Sequence, residues 1–77
     1  MIRILFFAQL KEQLNKKEMT LPYQEITVKQ LRERLEKEYS LPALSSVLFA
    51  INEEFAAEDD IIRDGDVVAL IPPMSGG

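Results

Sequence analysis

The residues able to do chemistry in this chain are few, and the clearest of them stand at its end. There is no cysteine and no histidine. That excludes a disulfide framework, thiolate metal sites and a thiol nucleophile. It also removes Ser-His-Asp and Cys-His catalysis and the common zinc sites. No Gly-rich phosphate loop is present. Carboxylates and lysines remain, with one special group, the terminal carboxylate of Gly77. Of three glycines in the chain, two are Gly76 and Gly77. Lacking a Cβ, such a pair can thread a channel too narrow for any other dipeptide and approach a partner's backbone closely. Its carboxylate would then reach a buried active site on another protein. A free carboxylate is a poor electrophile, but ATP can convert it to an acyl-adenylate open to attack by a thiol, an amine or a sulfide. The bland alternatives are an ordinary disordered terminus or a tag remnant. Two of three glycines falling directly after an apolar strand favours the functional reading. The inventory is that of a protein that is acted upon.

The elements that must position this end follow from the same stretch. Asp64-Gly65 is a tight-turn signal. Val67 to Ile71 is a short apolar run of the kind that forms a buried strand. Pro72-Pro73 stops it, because neither proline can donate to a sheet ladder. Residues 72–77 are expected to form a flexible tail on a rigidly planted strand.

Upstream, Ile2 to Ala8 is rich in strand formers. Alternation puts Ile2, Ile4, Phe6 and Ala8 on a core face and Arg3, Leu5, Phe7 and Gln9 on an outward one. Leu5 and Phe7 are then apolar residues on a partly wet surface, either covered by another segment or available to a partner. Leu10 to Leu14 suits one or two helical turns. Met19, Leu21 and Tyr23 alternate as a second strand returning hairpin-like from the first, with Pro22 implying an edge position or the strand's end. Thr27 with Gln30 forms a capping box that opens the main helix. Val28, Leu31, Leu35 and Tyr39 make its apolar stripe, and Glu33–Lys37 is a favourable i,i+4 pair on a solvated face. The helix is expected to end near Tyr39-Ser40, since Pro42 disfavours helix at Leu41. Ala43 to Ser46 is a connector. Val47 to Ile51 is a third strand, Asn52-Glu53-Glu54 a turn, and Phe55-Ala56 a short return. Ile61-Ile62 dips back to the core. Glu53, Glu54, Glu58, Asp59 and Asp60 form an acidic cluster. Its spacing fits no calcium loop, which leaves a solvated edge or a docking edge for a basic partner.

At 77 residues, 47% apolar and 29% charged, the chain suits a single domain spanning 1–77. No run is long enough to span a bilayer and no signal-peptide pattern is present, so a cytoplasmic protein without membrane contact is expected. The net charge of -4 argues against nucleic acid and suits docking on basic protein surfaces. Strands at both ends and a helix between them imply an α+β fold, a mixed sheet with one main helix across one face, the first and last strands paired side by side.

Taken together, Ile2-Arg3-Ile4-Leu5-Phe6-Phe7-Ala8, Thr27-Val28 with Leu31, and Asp64-Gly65-Asp66-Val67-Val68-Ala69 leading into Pro72-Pro73-Met74-Ser75-Gly76-Gly77 resemble the small subunits of molybdopterin synthase. The likeness runs the whole length of the chain. It implies a ubiquitin-like β-grasp fold and a sulfur carrier that binds no cofactor itself. A ubiquitin-activating-enzyme-like adenylyltransferase would use Mg-ATP to adenylate Gly77, and a sulfur donor protein would convert the adenylate to a thiocarboxylate. The tail, with Pro73, Ser75 and Gly76, would enter the large synthase subunit, which passes the sulfur to cyclic pyranopterin monophosphate. The assembly implied is a heterotetramer of two large and two small subunits. The resemblance also implies that Phe7, Phe55 and Ile71 form an outward patch touching the partners. One departure is Val67, where such chains often carry a charge; it enlarges the expected apolar area. Other readings are a carrier for thiamine or tRNA thiolation, a ubiquitin-like modifier joined to lysines through Gly77, and an interaction module with an inert tail.

Overall fold

The computed structural model describes residues 1–39 and 44–73. The first strand, β1 (Ile2–Phe6), buries Ile2, Ile4 and Phe6 and leaves Arg3 on the surface, as alternation requires. It stops at Phe6 because Ala8 takes a left-handed φ of 49° and turns the chain into helix α1 (Ala8–Leu14). Ala8, expected on the core face, is therefore exposed at a corner, and Gln9 lies on the helix. Helix α1 is two turns long, buries only Leu10, and closes on Asn15 at φ 55°, a conformation that Asn tolerates. Strand β2 (Glu18–Leu21) returns antiparallel to β1 and ends before Pro22. The expected hairpin thus has a helix in its loop.

Strand β3 (Glu25–Thr27) leads into helix α2 (Val28–Glu38). The capping box forms: the Gln30 backbone N–H donates to Thr27 Oγ1 at 3.1 Å, and the Thr27 N–H donates to Gln30 Oε1 at 3.0 Å. Val28, Leu31 and Leu35 are fully buried. Tyr39 does not continue the stripe. Its backbone leaves the helical region (φ -112°, ψ 7°) and its ring is exposed. The i,i+4 ion pair that forms is Arg34–Glu38 at 2.8 Å, rather than Glu33–Lys37. Arg32, which the helical period places off the apolar stripe, turns inward. It donates to the Leu44 and Val47 carbonyls, pairs with Glu58 at 2.5 Å, and lies 4.6 Å from the Phe49 ring centre. The expected helix end at Ser40 and the residues through Ala43 lie outside the described residues.

The chain continues through β4 (Leu48–Ile51), a turn at Asn52-Glu53, β5 (Glu54–Phe55), β6 (Ile61–Arg63) and β7 (Val67–Ile71). The main sheet has the order β2-β1-β7-β4-β5. Strands β1 and β7 pair in parallel beside each other, as expected, and the remaining pairs are antiparallel. Strands β3 and β6 form a separate two-stranded sheet. There Ile62 reaches the core while Ile61 points outward, so only half of the expected dip occurs. Before β7 the chain turns at Gly65, whose φ of 92° suits glycine and strains any side chain. The inward residues of the sheet, the stripe of α2, and Leu10, Ile26 and Ile62 share one core. This is the mixed-sheet α+β architecture expected from the residue pattern, with the helical turns around Leu10–Leu14 formed as α1 and a small second sheet added.

Candidate partner-docking site

The opposite face of the main sheet carries the site, and the register explains how. Across β1, β7, β4 and β5 the aligned residues are Leu5, Ala69, Ala50 and Phe55. In the neighbouring row Ile71 stands opposite Leu48. Parity places all of these on the side away from α2. Ala50 and Ala69 are small, so the middle of the row is low, while Phe7, Phe55 and Ile71 stand around it. The result is an apolar depression of about 380 Å³ lined by Phe7, Ala50, Glu53, Phe55, Ala69 and Ile71.

The three aromatic and aliphatic residues expected to form a patch are therefore brought together. Phe55 is 73% exposed and Phe7 45%; Ile71 is half-buried. Phe7 owes its outward position to the corner at Ala8, and its own carbonyl accepts the Leu10 N–H at 3.1 Å. Val67 lies half-buried on the same face, opposite Arg3. Leu48, at 53% exposed, extends the apolar area beside Ile71. An exposed apolar surface of this extent, next to a strand end, is the signature of an interaction site.

Residue reading missed Leu48, Ala50 and Glu53. The run Val47 to Ile51 is apolar throughout, so alternation could not assign its faces; pairing with β7 does. By sequence, Glu53 belongs with the acidic cluster. That cluster does not act as one group. Glu58 is held by Arg32, and Asp60 accepts the Ala57 N–H at 2.8 Å. Among the described residues no group of acidic side chains is arranged to hold a metal ion.

The tail begins at the edge of this surface. Strand β7 ends at Ile71, Pro72 is half-buried and Pro73 exposed. Ser75, Gly76 and Gly77 lie outside the described residues. The other end of β7 is firmly tied. Asp66 accepts the Arg63 N–H at 2.8 Å and the Asn52 amide at 3.0 Å, and the Val67 N–H donates to Asn52 Oδ1. The Arg63 backbone bond, then the Asn52 amide, hold the Asp66 carboxyl below the usual carboxylate range. At the sheet's other side Arg3 pairs with Glu18 at 2.6 Å; its hydrogen bond lowers the Glu18 pKa.

A larger cleft of about 1010 Å³ runs along α2, lined by Glu25, Glu33, Arg34, Lys37 and Glu38 among others. Its walls carry charges of both signs, with Arg34 and Glu38 already paired. Its apolar parts, at Tyr23 and Ile26, are interrupted by these charges, and it gathers no convergent set of reactive groups.

Comparison with known proteins places the chain in a family. The ThiS family pattern matches residues 4–77. The molybdopterin synthase sulfur carrier subunit of Arabidopsis thaliana is 38% identical over 99% of this chain and 82% of its own. The Escherichia coli subunit of that name is 33% identical, with both chains covered end to end. Among solved structures, one of a complex of subunits 1 and 2 of the Helicobacter pylori molybdopterin-converting factor includes a chain similar at a TM-score of 0.65. That chain is 26% identical, over 99% of this chain and 97% of that one. The small archaeal modifier protein 1 of Methanosarcina acetivorans matches at a TM-score of 0.76 over 99% of this chain and 95% of its own; at 21% identity it shows the fold alone. Among the described residues no helix is long and apolar enough to cross a membrane. With its ubiquitin-like β-grasp fold, the chain belongs to the ThiS family, among the molybdopterin synthase sulfur carrier subunits.

Proposed function

We propose that this chain carries sulfur on Gly77 for a molybdopterin synthase and docks on the large subunit through the outer face of its sheet. The observation that supports this most is the apolar surface of Phe7, Phe55 and Ile71 at the root of the Pro72-Pro73 tail. A carrier must be held firmly while its end group enters another protein's active site. A rigid strand tied at Asp66 and a broad apolar face beside the tail suit that division of labour.

The chemistry follows from the carboxylate. An adenylyltransferase partner joins Gly77 to AMP from Mg-ATP, releasing pyrophosphate. Sulfide-level sulfur from a donor protein attacks the acyl carbon, the bond to AMP breaks and AMP departs, and Gly77 is left as a thiocarboxylate. Within the large subunit that sulfur passes to cyclic pyranopterin monophosphate, two transfers completing the dithiolene. This chain contributes no side chain to the reaction; Gly76, Ser75 and Pro73 shape the tail that delivers it. In this reading Mg-ATP belongs to the activating partner.

The direct test is the intact mass of the protein drawn from its own cells. The expected species is heavier by exchange of one oxygen for one sulfur, localised to Gly77. A ladder of conjugates to other proteins, or an unmodified mass that persists with activating enzyme, ATP and a sulfur source, overturns the reading. Deleting Gly77 should abolish sulfur transfer with the fold unchanged by circular dichroism. A truncated chain that still supports molybdopterin synthesis sinks the carrier role.

A further inference from the structure

Among the described residues, four other than glycine take positive φ: Ala8, Asn15, Asn52 and Glu53. Three have a local reason. Ala8 turns β1 into α1, and Asn15 closes that helix. Asn52 is bonded through both its backbone and its amide to Asp66 and Val67. For Glu53, at φ 72°, the tight hairpin accounts for the backbone, since both central positions of such a turn take positive φ, but no contact accounts for a glutamate there rather than a glycine. Glu53 occupies the second position of the two-residue turn between β4 and β5, where glycine is relaxed and a longer side chain is strained. Among the described residues no cation pairs with its carboxylate. Among the described residues, then, nothing offsets the choice of glutamate over glycine at this turn. The apolar atoms of Glu53 border a depression whose other lining residues are Phe7, Ala50, Phe55, Ala69 and Ile71, and the residue is exposed at that margin.

We propose that Glu53 is the orienting contact of the docking face, pairing with a lysine or arginine at the margin of the partner's apolar surface. This rests on the reading that the face docks on the large subunit. Apolar contact is non-directional, and a depression floored by two alanines tolerates rotation of whatever fills it. A carboxylate at its rim does not. Buried against the partner without a cation it is penalised by lost hydration; opposite one it selects a single register and speeds encounter. The partner surface that fits is an apolar bulge with one basic side chain beside it.

Two substitutions separate this from a structural role. Glu53→Gln keeps size and backbone conformation and removes the charge. Glu53→Gly removes the charge and relaxes the turn. The wild-type chain, both variants and Phe55→Ala are titrated into the large subunit at low and high salt, and each is melted alone. Expected is a roughly two- to fivefold weaker Kd for both Glu53 variants at low salt, the gap closing near about 0.5 M salt, with Glu53→Gly melting no lower than wild type. Glu53 variants that bind like wild type at low salt, while Phe55→Ala binds poorly, overturn this inference and leave the docking reading intact. A wild-type chain that does not bind the large subunit overturns both.

Discussion

Replacing Phe55 by Ala separates docking from folding. The ring is 73% exposed and sits on the short edge strand opposite Ala50. Truncating it removes little buried surface, so the fold should lose less than about 1 kcal/mol. Docking is another matter. A phenylalanine presents roughly 200 Å² of surface, so about 150 Å² of this one remains to be covered by a partner. At about 25 cal/mol per Å² that is about 3.5 kcal/mol. Alanine retains part of it, leaving an expected loss of about 2–3 kcal/mol, or roughly 30- to 150-fold in Kd. Phe7, 45% exposed, gives about 1.5 kcal/mol by the same reasoning. Isothermal titration against the large subunit, with thermal unfolding of each free variant, reads both quantities. A folded Phe55→Ala chain binding within twofold of wild type refutes the docking assignment. A Phe7→Ala loss far above that of Phe55→Ala refutes the scaling with exposure.

Two further outcomes concern the frame around the site. Arg32→Met should destabilise the chain by about 2–3 kcal/mol in denaturant titration, because the Leu44 and Val47 carbonyls and Glu58 all lose their donor. Arg32→Lys should recover little of this, since one ammonium cannot reproduce the guanidinium fork; full recovery by Lys would show that charge alone matters. Asp66 titrates lower folded than unfolded. Its contribution to stability is therefore complete above about pH 4 and lost as pH falls through the folded value. Asp66→Asn should lower stability at neutral pH and flatten the acid limb, and parallel wild-type and variant curves down to pH 2 would contradict that.

Much of the scaffold was legible in the residues because its signals are local. The Thr27–Gln30 box states where α2 begins, and Val28, Leu31 and Leu35 state which side is buried. Asp64-Gly65, the Val67–Ile71 run and Pro72-Pro73 mark a turn, a strand and its end without reference to anything distant. Strands β3 and β6 escaped notice because three residues are too few to show a period, and only Ile26 and Ile62 of them are buried. Ala8 was misplaced because alternation carries no warning of a corner. Tyr39 was misplaced because a helical period says nothing of where the last turn unwinds.

The sequence alone limits what chemistry is open to this chain: it holds no thiol and no imidazole, which is why the proposed role falls to the Gly77 carboxylate. It also determined the apolar content of β1, β4 and β7. Which of those apolar residues are core and which are surface was decided only by the tertiary structure. In β4 every side chain is apolar, and the partner strand alone sets which way each one points. Pairing with β7 puts Ala50 beside Ala69 and so makes a low floor between Phe7, Phe55 and Ile71. The same pairing brings the β4–β5 turn, and with it Glu53, to the rim. Arg32 shows the converse: a charge that local pattern assigns to solvent turns inward, because two carbonyls and a carboxylate converge there from segments 12 to 26 residues away.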